Sequence, residues 1–116
     1  MPDPNGKSVL CVSWNPSLAR TREELLAQVG YRVISALGEA GAASVCRENA
    51  DLLVLGHSVP RDKKRAVVES FREHCQAPIL SLLRAGQDKL PEADFAVDAD
   101  NPANFVETVK MILAAK

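Results

Sequence analysis

The chain has 116 residues, of which 47% are hydrophobic and 25% charged, as expected for one compact domain with its own apolar core. Its 14 basic and 15 acidic side chains nearly cancel, so overall charge does not favour a nucleic acid or a membrane as direct partner. No apolar run is long enough to span a bilayer, and Cys11, Cys46 and Cys75 lack the spacing of a metal site or a disulfide framework. We therefore expect a cytoplasmic domain over residues 8–116, after a flexible N-terminus over residues 1–7, with no bound metal.

The first half of the chain alternates apolar runs with amphipathic stretches. Asn15 can cap a helix that Pro16 opens, and Gly30 is suited to the left-handed conformation that ends one. The apolar run after Asp51 is continuous, which is typical of a central strand buried on both faces. The predicted elements are a strand over 8–12, a helix over 16–29, a strand over 31–36, a helix over 38–49 and a strand over 51–56.

The second half continues the alternation until the fourth strand. Few residues then separate that strand from the fifth, and Gly86 and Pro91 in this interval disfavour a helix. Asn101 is placed to cap the closing helix. The predicted elements are a helix over 61–75, strands over 78–83 and 95–97, and a helix over 102–114. This order predicts an α/β fold: a doubly wound, five-stranded parallel sheet with helices on both faces and a fourth helix that is short or absent.

Four segments, distributed over nearly the whole chain, resemble the receiver domains of bacterial response regulators. They are residues 9–16, 30–33, 50–60 and 77–80. The resemblance implies a flavodoxin-like sheet with strand order 2-1-3-4-5, and a role in a two-component or phosphorelay signalling system. It also implies protein partners, namely a kinase, a regulator or an output protein.

The resemblance further implies a set of chemical groups at the carboxyl ends of the strands. Receivers use an acidic pair to hold Mg²⁺, an aspartate to accept phosphate, a Ser or Thr, and a Lys. In this sequence these positions fall on Ser13 and Trp14, Gly56, Leu83 and Asp98 respectively. Glycine has no side chain to phosphorylate, and a hydroxyl with an indole cannot replace the carboxylates that Mg²⁺ prefers. We therefore expect no phosphoacceptor, no cofactor and no enzymatic activity.

The rim of the same crevice is rich in basic side chains. They are His57, Arg61, Lys63, Lys64 and Arg84. One interpretation is a site for an anion or for an acidic segment of a partner. The other is that they are ordinary solvated surface charges.

Two functions remain open at this point. The first is a pseudo-receiver that acts by protein–protein interaction, in which Trp14 either anchors a partner or fills the vacated metal pocket. The alternative is a small anion- or nucleotide-binding domain that uses the basic rim. Residues 13–17 contain no glycine, which disfavours the phosphate-binding turn of a nucleotide site. His57 and Ser58 lack an orienting carboxylate, which disfavours nucleophilic catalysis.

Overall fold

A computed structural model describes residues 7–45, 50–73 and 75–114. Its strands are β1 (Ser8–Ser13), β2 (Arg32–Leu37), β3 (Leu52–Leu55), β4 (Ile79–Leu83) and β5 (Phe95–Asp98). Its helices are α1 (Pro16–Val29), α2 (Gly38–Val45), α3 (Arg61–Arg72) and α4 (Pro102–Ala114). The predicted end of the second helix, with Cys46, lies outside the described residues, as do His74 and most of the predicted flexible N-terminus.

The five strands form one sheet in the order β2-β1-β3-β4-β5, and every neighbouring pair is parallel. This confirms the predicted fold class and strand order. All four residues of β3 are buried, as the continuous apolar run predicted for a central strand.

The predicted helix ends are also observed. The Asn15 side chain accepts hydrogen bonds from the backbone N–H groups of Ser17 and Leu18, at 2.9 and 3.1 Å. Gly30 ends α1 with φ 108°, a conformation that residues with a Cβ rarely adopt. The Asn101 side chain accepts from the N–H of Asn104 at 3.0 Å and so caps α4.

Two apolar layers sandwich the sheet because alternate strand residues point to opposite faces. One cluster joins strand residues such as Leu53 and Leu55 to α2 and α3, with Phe71 among its fully buried members. The other joins Leu52 and Val54 to α1 and α4. Helices therefore cover both faces, and the carboxyl ends of all the strands lie at one edge of the sheet.

No helix lies between β4 and β5, where residues 84–94 form turns and extended loop. Leu90 from this loop is 4% exposed and joins the apolar cluster under α3. Beside the loop, an open groove of about 290 Å³ runs over β4 and β5, lined in part by Leu83 and Ala96. The structure thus confirms that the fourth helix is absent, and Leu90, with the partly buried Ala93, supplies the apolar packing from this segment.

Basic side chains of α3 hold the loop in place. The Arg61 guanidinium donates to the backbone oxygens of residues 88 and 89, each at 3.3 Å. One turn on, Arg65 pairs with Glu92 at 3.2 Å, and Arg72 pairs with Asp94 at 2.7 Å.

Within the described ranges, no helix is long and apolar enough to cross a membrane.

Candidate functional site

The five pocket positions proposed from the sequence lie at the carboxyl edge of the sheet. Ser13 is the last residue of β1, and Gly56 directly follows β3. Leu83 and Asp98 end β4 and β5 and are paired in the sheet register. The topology therefore places all of them at one edge, although their equivalence to receiver pocket residues stays a prediction.

Hydroxyl groups and backbone, in place of carboxylates, meet at the end of β1. Ser13 is 1% exposed, and its Oγ both donates to the Asn15 carbonyl and accepts from the Asn15 N–H, at 3.1 Å each. The Ser58 Oγ lies 3.3 Å from the Ser13 Oγ and accepts from the Trp14 N–H at 3.0 Å. These bonds tie the β1 and β3 loops together without any charged group.

A guanidinium group lies against Gly56. A Cβ placed on Gly56 would be 2.8 Å from Nη1 of Arg22 and 3.1 Å from the backbone oxygen of Val12. The Trp14 indole, unlike the Arg22 guanidinium, is half-buried and packs against the apolar cluster of α2 and α3. The space into which a side chain at position 56 would project is therefore taken by a cation from α1.

Arg22 was missed by the sequence interpretation, although a signal was present. It lies in the apolar stripe of α1, four residues after Leu18 and four before Leu26, so helical spacing directs it to the interior. Its residue surface is 7% exposed, and burial lowers the pKa of its guanidinium. Among the described residues its one hydrogen-bonding partner is His57, whose Nδ1 lies 3.1 Å from Arg22 Nη2.

His57 lies between two guanidinium groups. Its Nε2 is 3.4 Å from Nη2 of Arg84, opposite the Arg22 contact. Burial lowers the pKa of His57, and the positive charges of Arg22, Arg84 and Lys64 lower it further, while Asp100 opposes them. Because the usual His pKa is already below 7, we conclude that the imidazole is neutral at neutral pH.

Lys64 does not lie on the rim, which corrects the sequence interpretation. It is 4% exposed, and its Nζ donates to the Ser81 Oγ at 2.9 Å and to the Leu82 carbonyl at 3.0 Å. Burial is the main cause that lowers its pKa from 10.5 to about 8, and the charges of Arg61 and Arg22 add to it. The cause is helical register, because position 64 shares a face with Val67, Val68 and Phe71, which are all buried.

The three other basic rim residues differ in their surroundings. Arg84 is exposed beside His57. Arg61 is exposed but turned toward the loop carbonyls, and with Lys64 it lines a cavity of about 130 Å³ that Leu90 and Asp88 also border. Lys63 is half-buried on α3. The structure therefore brings together Arg22, His57, Arg84 and Lys64, and assigns Arg61 to anchoring the loop.

Comparison with solved structures identifies the architecture. A two-component response regulator from Clostridium difficile is similar, with a TM-score of 0.80 and 17% identity over 93% of this chain and 96% of that one. A putative response regulator from Chloroflexus aurantiacus gives a TM-score of 0.76 and 24% identity over 98% and 99%. A CheY-like receiver domain from Methylobacillus flagellatus gives 0.69 and 18% over 91% and 98%.

The chain has the receiver fold. No family model matches the sequence, and no curated protein is significantly similar to it. The likeness is thus one of backbone fold.

The Mg²⁺ that receivers bind does not fit the residues of this receiver fold. Ser13 and Trp14 present no carboxylate, and the buried Arg22 guanidinium would repel a dication at the same place. Within the described parts of the chain, no group of three or more His, Cys, Asp or Glu side chains could hold a metal ion.

The close contact between Gly56 and Arg22 leads to a first testable expectation. Gly56→Ala should lower the free energy of unfolding by about 1–3 kcal/mol, because the methyl group must displace a buried guanidinium and meets the Val12 oxygen. Urea unfolding followed by the fluorescence of Trp14 measures it. Gly41→Ala in α2 is the matched control, since its Cβ would have ordinary contacts with Ala36 of β2 at 3.4 Å or more. Equal stability of Gly56→Ala and the unmodified protein would contradict the described packing.

Proposed function

We propose that this chain is a receiver-type signalling module that is not phosphorylated on aspartate and acts through protein–protein contacts. The observation that carries the proposal is the Arg22 guanidinium packed against Gly56. A receiver pocket must hold a carboxylate and a hydrated dication there, and a buried cation without a side chain at position 56 provides neither.

The architecture supports the proposed class of partner. The solved structures with this fold include proteins described as two-component response regulators. We propose a kinase, a regulator or an output protein of such a system as partner, in the cytoplasm, with no enzymatic reaction of the module's own. The half-buried Trp14 next to the crevice is a candidate anchor, because tryptophans contribute strongly at interfaces.

Intact-mass measurement tests the absence of phosphorylation. The protein is incubated with Mg²⁺ and acetyl phosphate, a small phosphoryl donor, beside a receiver that carries the acidic pocket. We expect the control to gain a hydroxylamine-sensitive phosphoryl group and this protein to gain none. A Mg²⁺-dependent, hydroxylamine-sensitive adduct on this protein would overturn the proposal.

The interaction itself needs a separate measurement. Affinity capture from cells that contain two-component proteins is compared for the unmodified protein and Trp14→Ala. Enrichment of an identified kinase or response regulator, reduced at least several-fold by Trp14→Ala, is the expected result. Enrichment of no signalling protein would contradict the partner class.

The crevice also favours a second candidate function, the binding of a small anion. The grouping of Arg22, Lys64 and Arg84 around a neutral histidine is the specific observation for it. A nucleotide is the less suitable anion, because the loop over residues 13–17 contains no glycine to let backbone amides approach its phosphates.

A further inference from the structure

The two guanidinium contacts of His57 conflict with each other. Guanidinium nitrogens only donate hydrogen bonds, and a neutral imidazole has one accepting nitrogen and one N–H. Arg22 Nη2 lies 3.1 Å from Nδ1, and Arg84 Nη2 lies 3.4 Å from Nε2. One of these contacts therefore places a donor against a donor.

The shorter and more buried contact fixes the tautomer. Arg22 is 7% exposed and has no other hydrogen-bonding partner among the described residues, so its bond to Nδ1 relieves a buried donor. The proton of the imidazole is then on Nε2, facing the exposed Arg84. At the mouth of the crevice, an imidazole N–H and a guanidinium N–H thus face the same space without an acceptor between them.

The loop segments that carry His57 and Arg84 are joined to each other through Gln87. The Gln87 side chain accepts from the Arg84 N–H at 2.7 Å and donates to the His57 carbonyl at 3.3 Å. This bridge joins the segment after β3 to the segment after β4. The backbone segments that carry the two donors are therefore already joined before any ligand binds, which lowers the entropic cost of binding.

The surrounding charge is positive and not neutralised by direct contact. Arg22 and Lys64 are more than nine-tenths buried behind His57, and Arg84 lies in front of it. Carboxylates at this edge include Asp88, Asp98 and Asp100, and Asp62 lies in the first turn of α3. Among the described residues, none of these four carboxylates forms an ion pair with Arg22, Lys64 or Arg84.

We propose that the His57 Nε2–H and the Arg84 guanidinium bind an oxyanion of the phosphate type, with Arg22 behind the imidazole as the fixed cation that orients it. An oxyanion accepts from both donors and removes their conflict, and a guanidinium fork matches the geometry of phosphate oxygens. A dianion suits a site with several cations better than a monoanionic carboxylate does. The inference rests on the second candidate function, anion binding, and names its ligand class, whereas the proposed signalling role does not depend on it.

The experiment is a titration of the ¹⁵N-labelled protein with sodium phosphate at constant ionic strength. We expect saturable shifts of the His57 ring nitrogens and of the Arg84 Nε–H. Arg84→Gln should weaken binding by about tenfold or more, as expected when a charge-assisted forked contact is lost. Arg20→Gln removes the same charge from an exposed position of α1 and should leave the affinity unchanged within about twofold.

Further measurements separate this inference from its rivals. Acetate in place of phosphate should bind more weakly, and equal binding would replace the phosphate-type ligand by a carboxylate. Shifts that rise linearly with phosphate, or equal weakening by Arg84→Gln and Arg20→Gln, would overturn the site. Failure here would leave the proposed function standing, because the intact-mass assay reads covalent phosphorylation and not reversible binding.

Discussion

Replacing Leu90 by alanine should lower the free energy of unfolding by about 2–5 kcal/mol. Leu90 is the fully buried apolar residue that the 84–94 loop contributes to the cluster under α3, in a region where no helix covers the sheet. A cavity of about 130 Å³ already lies beside it, bordered by Val59 and Lys64. Truncation would enlarge this cavity, so the surroundings cannot easily close on the space that the side chain leaves.

Urea unfolding monitored by Trp14 fluorescence measures the loss, and Leu37→Ala is the matched control. Leu37 is 47% exposed at the end of β2, so the same chemical change there should cost less than about 1 kcal/mol. Similar losses in both variants would mean that Leu90 does not substitute for the packing of a helix.

The titration of Lys64 should contribute an increase in the free energy of unfolding as the pH rises from about 8 to 10.5, against the opposite contribution of the buried Cys11 thiol. The pKa of Lys64 is about 8 in the folded protein and 10.5 for an unburied lysine. Between these values the unfolded chain binds more protons than the folded one, so raising the pH favours folding. Below pH 8 both states are protonated, and burial of the charge opposes folding in full. The gain across this range is on the order of 3 kcal/mol at most.

Lys64→Met isolates this contribution, because it keeps a side chain of similar length and removes the charge. The free energy of unfolding is measured from pH 7 to pH 10.5 for both proteins, and the other titrating groups cancel in the difference. We expect the unmodified protein to gain stability relative to Lys64→Met as the pH rises. If the two proteins showed the same pH dependence of the free energy of unfolding, burial of the charged Lys64 ammonium would not destabilise the folded state.

Much of the fold could be predicted because it depends on local patterns. Asn15, Gly30 and Asn101 mark helix ends through their own backbone and side-chain preferences, and they do so without knowledge of the rest of the chain. The continuous apolar run of β3 identified the central strand for the same reason. The absence of the fourth helix was also predictable, because few residues separate β4 from β5 and because Gly86 and Pro91 in this interval disfavour a helix.

The site was harder to predict because its charges come from apolar positions of helices. Arg22 and Lys64 lie on the buried faces of α1 and α3. The sequence interpretation overlooked Arg22 and placed Lys64 on the rim, because it did not apply the helical spacing to charged residues. Their partners could not be predicted at all, since the contacts of Arg22 with His57 and of Lys64 with Ser81 join segments far apart in the chain. Only the packing of the helices on the sheet brings these groups together.

The way α3 holds the 84–94 loop has an evolutionary consequence. Arg61 bonds to the main-chain oxygens of residues 88 and 89, which any amino acid supplies. Asp94, by contrast, uses its carboxylate to accept from the Ile79 N–H at 2.8 Å and to pair with Arg72, and Leu90 uses its side-chain volume. Positions 88 and 89 should therefore drift freely among orthologues while 90 and 94 stay fixed. A deep mutational scan should find that most substitutions are tolerated at positions 88 and 89 and that few are tolerated at positions 90 and 94.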